Sequence, residues 1–301
     1  MDKLAAMRVF VEIAERGSLT AAAVALGKAQ PTVVRSLANL ESTLGVRLLR
    51  RTTRRLSLTE AGHSYLERAR RILSDVAEAE MVLSASDTTP VGHLRITAPV
   101  TYGQTHVSPL LFKFLKRYAD IDVELLLLDR VVNLLEEGID LAVRIGPLAD
   151  SSMIATQVDD MRRVIVASPK WLDQHGVPEH PTALAEVACV RFSGISTLNT
   201  WRFACNGEEI AVPVQGPLVT NQALPAVAAV AAGLGCGMFL AYQVADRVQR
   251  GELVIILEAY EPAPQPVNLV YTETRLMTQR LRVLLDFMRD NFRQSELSDV
   301  I

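Results

Sequence analysis

Two stretches of the chain carry side chains able to read a nucleic-acid duplex. In "QPTVVRSL", Gln30 offers an amide to the N6 and N7 edge of adenine, and Arg35 offers a guanidinium that forks onto guanine O6 and N7 or onto a phosphate. Thr32 and Val33 bring methyls for thymine, and Pro31 stands where a helix tolerates proline, in its first turn. The competing assignment has Gln30 capping its own helix and Arg35 paired with a carboxylate. In "RRTTRR" and its flank, Arg50, Arg51, Thr53, Arg54 and Arg55 suit phosphate and minor-groove contact, with one or two of the arginines left to pair within the protein.

A second group of residues suits a small anion. "TAPVTYGQ" ends a strand and opens a helix, so Pro99, Val100 and Thr101 lie at a helix start, with Thr101 and Gln104 at capping-box spacing. "VTNQAL" repeats the device, with Asn221 as the expected cap of an alanine-rich helix. Two helix starts facing a cleft favour a carboxylate or other anion. Arg144, followed by Gly146 at a strand end in "DLAVRIG", either adds a positive charge there or pairs with Asp140 or Asp129. Phe192, Trp201 and Phe203 are pocket candidates that compete with a plain core role.

These residues need elements to hold them. Apolar positions recur at helical spacing from Asp2 to about Arg16, through "LTAAAVAL" after Ser18, and along Val34, Leu37, Leu40 and Leu44, with Gly17, Gly27 and Gly45 as stops. Two helices joined by a tight turn and followed by a hairpin with a basic tip make a winged helix-turn-helix. From Thr59 to about Ser86 a long helix is expected, with Leu66, Ala69, Leu73, Val76 and Leu83 along a coiled-coil-like seam, broken by the linker "SASDTTPVG". Beyond residue 90, strand candidates "HLRITAP", "DVELLLLD", "DLAVRIG", "RRVIVAS", "CVRF", "CGMFL" and "NLVYTE" alternate with helices "QTHVSPLLFKFLKRY", "VVNLLEE", "LPAVAAVAAG" and "RLRVLLDFMRDNF". That order predicts an α/β domain with mostly parallel sheets.

The charge is unevenly placed. Residues 1–58 hold ten Lys or Arg against four Asp or Glu, a net of +6, so the remainder of a chain of net charge -3 carries -9. A basic module on an acidic body is the footprint of a nucleic-acid reader, with a solvated charged face as the plainer alternative. No run reaches the roughly 18 to 20 apolar residues of a membrane span, and "MDKLAAMRVF" lacks signal-peptide regions, so a cytoplasmic, nucleoid-associated protein is expected. Cys189, Cys205 and Cys236 form no CxxC pair, and no disulfide framework, metal site or cofactor is expected. Catalysis is not expected either. "GLGCG" follows a helix where a dinucleotide fingerprint needs a strand, and the histidines at 63, 93, 106, 175 and 180 show no HExxH spacing. GxSxG and GxxxxGK[ST] are absent, and His106 beside Ser108 reads as a chance surface pair. A pure solute-binding protein is disfavoured by the basic module and the start of the chain.

The stretch "GSLTAAAVALGKAQPTVVRSLANLESTLGVRLLRRTTRRLSLTEAG" resembles the DNA-binding region of LysR-type transcriptional regulators, and "TAPVTYG" and "DLAVRIG" resemble that family's effector-binding domain, so the likeness spans essentially the whole chain. Ala29 and Val34 stand where the family usually has serine, a departure that bears on base contacts and not on fold. The resemblance implies three parts: a winged helix-turn-helix over 1–58, a linker and dimerisation helix over 59–89, and a two-lobed, periplasmic-binding-protein-like α/β domain over 90–301. Lobe I would take about 90–162 and 268–301 and lobe II about 163–267, with crossings near 162 and 267. It implies double-stranded operator DNA and a small-molecule effector between the lobes as partners, assembly as a homodimer or homotetramer, and RNA polymerase as a further candidate partner.

Overall fold

The structure, a computed structural model, describes residues 2–51, 56–83, 90–148, 153–193, 199–205, 207–272 and 277–294. It contains two compact units, residues 1–93 and 94–301.

The first unit is a small helical core with a hairpin. Helix α1 (Lys3–Arg16) starts on Asp2, whose carboxylate accepts from the Ala5 N–H at 3.1 Å, and stops at Gly17 in the left-handed region. Helix α2 (Leu19–Ala25) is capped by Ser18, and its Ala22 and Ala23 let it approach Phe10, Ile13 and Leu37 closely. Helix α3 (Gln30–Leu44) carries Pro31 in its first turn and ends at Gly45. Strands β1 (Leu49–Arg51) and β2 (Leu56–Leu58) pair antiparallel, and the tip with Thr53, Arg54 and Arg55 lies outside the described residues. One Glu41 oxygen accepts from the Leu48 and Leu49 N–H groups at 2.8 and 3.1 Å, tying the base of this wing to α3.

Helix α4 (Glu60–Leu83) opens on Thr59, whose Oγ1 accepts from the Gly62 N–H at 2.9 Å. A Cβ at Gly62 would come within 2.0 Å of the Leu48 carbonyl oxygen, so this helix start needs glycine to fit under the wing. The expected seam is corrected here. Leu66 is buried in the core of its own unit, and Ala69 is fully buried, because the first half of α4 packs back on α1. Leu73 and Val76 stay half-exposed, while the Leu83 side chain and residues 84–86 lie outside the described residues.

The second unit holds two five-stranded sheets. Strand β3 (Gly92–Ala98) leads into α5 (Val100–Tyr102), a π-helical turn (Gly103–Val107) and α6 (Ser108–Arg117), followed by β4 (Ile121–Leu127), β5 (Leu141–Ile145) and β6 (Met153–Met161). The chain then crosses to β7 (Arg163–Ala167), α7 (Pro169–His175), β8 (Cys189–Phe192), the hairpin β9 (Thr200–Cys205) and β10 (Glu208–Pro213), and β11 (Val219–Thr220). Helix α8 (Ala223–Ala231), β12 (Cys236–Leu240), α9 (Ala241–Gln249) and β13 (Val254–Ile256) complete the second sheet. The chain returns as β14 (Gln265–Thr272) and ends the described structure in α10 (Gln279–Gln294).

The sheet orders are β4-β3-β5-β14-β6 and β11-β8-β12-β7-β13. Both are mixed, not mostly parallel: β3 pairs parallel with β5, and β8 with β11 and β12, whereas β14 runs antiparallel to β5 and β6, and β7 to β12 and β13. The strands entering and leaving each lobe at the crossings are what turn part of each sheet antiparallel. The helix expected over "VVNLLEE" is replaced by turns whose Val132 and Leu134 are buried against Ile139 and Ala142.

Candidate functional site

Helix α3 divides its residues between two jobs. Val33, Leu37 and Leu40 are buried, so Val33 belongs to the core and is removed from the base-reading set. Helical geometry turns each residue about 100°, which places 33, 37 and 40 on one face and 32 and 35 off it. Gln30, Pro31, Thr32 and Arg35 are exposed. The helix start has no side-chain cap, so Gln30 does not close its own helix, and Arg35 has no ion pair among the described residues. Arg50 on β1 is exposed on the same unit, and the Arg51 side chain lies outside the described residues.

In the second unit a cavity of about 610 Å³ lies between the two sheets. Lobe I contributes Pro99, Asp129, Val131, Val132, Arg144 and Met153, and lobe II contributes Phe192, Leu240, Tyr242 and Gln243. Most of its wall is apolar. Arg144 donates to the carbonyls of Arg130 and Val132 at 3.1 and 3.4 Å, and the charges that act on it most among the described residues are those of Arg130 and Glu137, not the expected Asp140 or Asp129. Asp140 instead accepts from the Arg95 N–H at 2.8 Å, and burial, then the nearby Arg130 charge, holds the Arg144 guanidinium below its ordinary pKa.

The two expected caps are corrected. Val100 N–H, the first of α5, donates to Asp129 Oδ1 at 2.9 Å, while Thr101 caps nothing and gives its carbonyl to the Thr105 hydroxyl. Asn221 is exposed, and the cap position of α8 falls on Gln222, whose Nε2 reaches Asp129 Oδ2 at 3.1 Å. Gly146 turns the chain out of β5 at φ 106° without lining the cavity. Phe203 and Trp201 are fully buried with Trp171 and Leu184 in the lobe II core, whereas Phe192 does face the cavity. Asp129, Phe192 and Tyr242 all stand at or just past strand ends, the one signal by which sequence reading could have grouped them.

Tyr242 packs across the cleft on α5 and the π-helical turn. Its ring lies edge-on to Tyr102 at 5.1 Å and to His106 at 5.3 Å, and His106 stacks on Tyr102 at 4.6 Å. His106 is therefore no chance surface pair: Ser108 bonds the Gly103 carbonyl, and burial lowers the imidazole pKa to about 4. Burial likewise raises both phenols above their ordinary range. A second link joins the two crossings, where Arg162 forks onto Glu261 at 3.0 and 2.9 Å. Among the described residues no helix is long and apolar enough to cross a membrane, and no group of three or more His, Cys, Asp or Glu is placed to hold a metal.

Comparison with known proteins matches the same two regions. Residues 4–63 match the family described as "Bacterial regulatory helix-turn-helix protein, lysR family", and residues 87–293 match "LysR substrate binding domain". An HTH-type transcriptional repressor of Pseudomonas aeruginosa is 34% identical over 297 residues, covering 98% of this chain and 94% of that protein. The HTH-type transcriptional activator AaeR of Escherichia coli is 33% identical over 292 residues, covering 97% and 94%. The solved structure of CrgA, a LysR-type transcriptional regulator from Neisseria meningitidis, superposes with a TM-score of 0.61 at 33% identity, covering 97% of this chain and 98% of that one. A helix-turn-helix unit followed by a two-lobed binding domain, matched along nearly the whole length, places this chain in the LysR family of bacterial transcriptional regulators.

Proposed function

We propose that the chain is a cytoplasmic regulator that reads one operator with α3 and its wing, as a dimer or tetramer, under the control of a small organic anion bound between the lobes. The observation that supports the reading role is the exposed set Gln30, Thr32 and Arg35 on a helix whose other face is fixed in the core. Gln30 and Arg35 give direct base contacts, and Arg50, Arg51 and Arg54 give phosphate contacts. Gln30→Ala or Arg35→Ala should weaken specific binding by about 1 to 3 kcal/mol per lost bidentate contact while leaving non-specific binding in place. Arg51→Ala with Arg54→Ala should instead weaken all sequences and flatten the salt slope by about 0.9 per lost phosphate contact. Fluorescence anisotropy on operator and scrambled duplexes over a salt series measures both; an unchanged operator-to-scrambled ratio for Gln30→Ala would remove α3 from base reading.

For the effector, the inter-lobe cavity supports an amphipathic anion. Its wall offers apolar area from Val131, Val132, Met153 and Phe192, and among the described lining residues Arg144 is the one cation. A carboxylate joined to an apolar or aromatic body meets both. Binding to one lobe arrangement over the other is what lets such a ligand alter DNA affinity, and DNA must then alter ligand affinity by the same factor.

A further inference from the structure

Asp129, an exposed residue, makes two hydrogen bonds, one within its own lobe and one to the other lobe. It stands two residues past β4, in lobe I. Its Oδ1 accepts from the Val100 N–H of the same lobe at 2.9 Å, and its Oδ2 accepts from Gln222 Nε2, at the start of α8 in lobe II, at 3.1 Å. The Gln222 orientation is fixed by chemistry, since its other face would set a carbonyl oxygen against a carboxylate. The backbone N–H of Gln222 is held in turn by Thr220 Oγ1 at 3.2 Å.

The exposed segment that carries Asp129 is tied down by side-chain hydrogen bonds. Arg130 forks onto Glu137 at 2.8 and 2.7 Å, and Arg144 holds the carbonyls of Arg130 and Val132. The carboxylate is thus presented from this loop to two helix starts in different lobes. We propose that Asp129 is an internal latch, a resident carboxylate that joins the two lobes of the effector domain and that an incoming ligand works against. With Asp129 on the Val100 amide, a ligand anion that leaves the latch closed has Arg144 as its cationic partner; one that takes the amide opens it.

The regulatory meaning of the latch rests on the cavity being the effector site, but the latch is tested in ligand-free protein, so either reading can fail alone. Hydrogen–deuterium exchange of the full chain is compared for wild type, Asp129→Ala, Asp129→Asn, Gln222→Ala and the double alanine variant. Asp129→Ala should speed exchange of segments 100–107 and 222–231 by roughly tenfold, with β3 and β12 as unaffected controls. Asp129→Asn should restore protection, because its amide oxygen serves Val100 and its NH2 serves a turned Gln222. The double variant should exchange in 222–231 no faster than Asp129→Ala alone. Additive effects of the two alanines, or an Asp129→Ala effect confined to 100–107, would reduce Asp129 to a local cap and overturn the proposal. Should Asp129→Ala fail to fold, unchanged exchange of 222–231 in Gln222→Ala overturns it equally.

Discussion

Val33 and Arg35 are two residues apart and face opposite environments, the first sealed in the core and the second in solvent. Sequence periodicity sets Val34 on the core stripe with Leu37 and Leu40 and leaves Val33 to the duplex, and the structure reverses the pair: Val33 is sealed inside and Val34 is half-exposed, because both valines fit the stripe and only packing decides which is inside. His106 is the clearest single-residue case of a role that no motif signals. Its imidazole is kept neutral by burial among Tyr102 and Tyr242, with a folded pKa of about 4 below its ordinary value. Between about pH 6.5 and 4 the unfolded chain binds the proton more readily than the native one, so stability falls as pH falls through that window. Moving from pH 7 to pH 5 should cost the effector domain roughly 2 kcal/mol through this group, a loss that His106→Phe should largely abolish. Urea midpoints of both proteins at the two pH values measure it; equal shifts would mean His106 is solvated.

The first three helices of the first unit were legible because glycine stops follow all of them and side-chain caps open the first two. The second unit was less so. Strand β6, "MIATQVDDM", mixes acids into an edge strand that only β14 covers, and β9 and β10 lie outside the alternating pattern as a separate hairpin. Strand direction leaves little trace in residue type, which is why the antiparallel share of both sheets was missed. The same limit explains Leu66: a heptad-like stripe does not say whether the partner is another chain or the preceding helix. Leu66→Ala should destabilise the first unit by about 2 to 5 kcal/mol, whereas Leu73→Glu should leave its folding nearly intact and weaken self-association. Thermal melts and sedimentation velocity on both variants separate the two effects, and dissociation caused by Leu66→Ala without loss of stability would return Leu66 to the seam.

Across the whole molecule, the basic charge sits on the unit with the exposed face of α3 and the acidic charge on the unit with the cavity, so attraction to a polyanion is concentrated at one end of the sequence. The effector domain has its own division. The chain leaves the first sheet at the end of β6 and re-enters it at the start of β14, and Met161 and Gln265 are direct antiparallel partners. Lobe II is therefore an insertion whose two ends already stand where a hairpin turn would join them. Replacing residues 162–264 with a tight turn of about two residues, such as Asn-Gly, should let β6 and β14 close as an ordinary hairpin. The trimmed chain would expose Tyr102, which Tyr242 covers, but should still fold its first sheet and bind operator DNA without any response to ligand. Circular dichroism and anisotropy check both halves of that outcome, and failure of the first sheet to fold would show that lobe II is an integral part of it. In evolutionary terms, the register of one strand pair marks the place where a lobe can be gained or lost without rethreading the sheet that carries it.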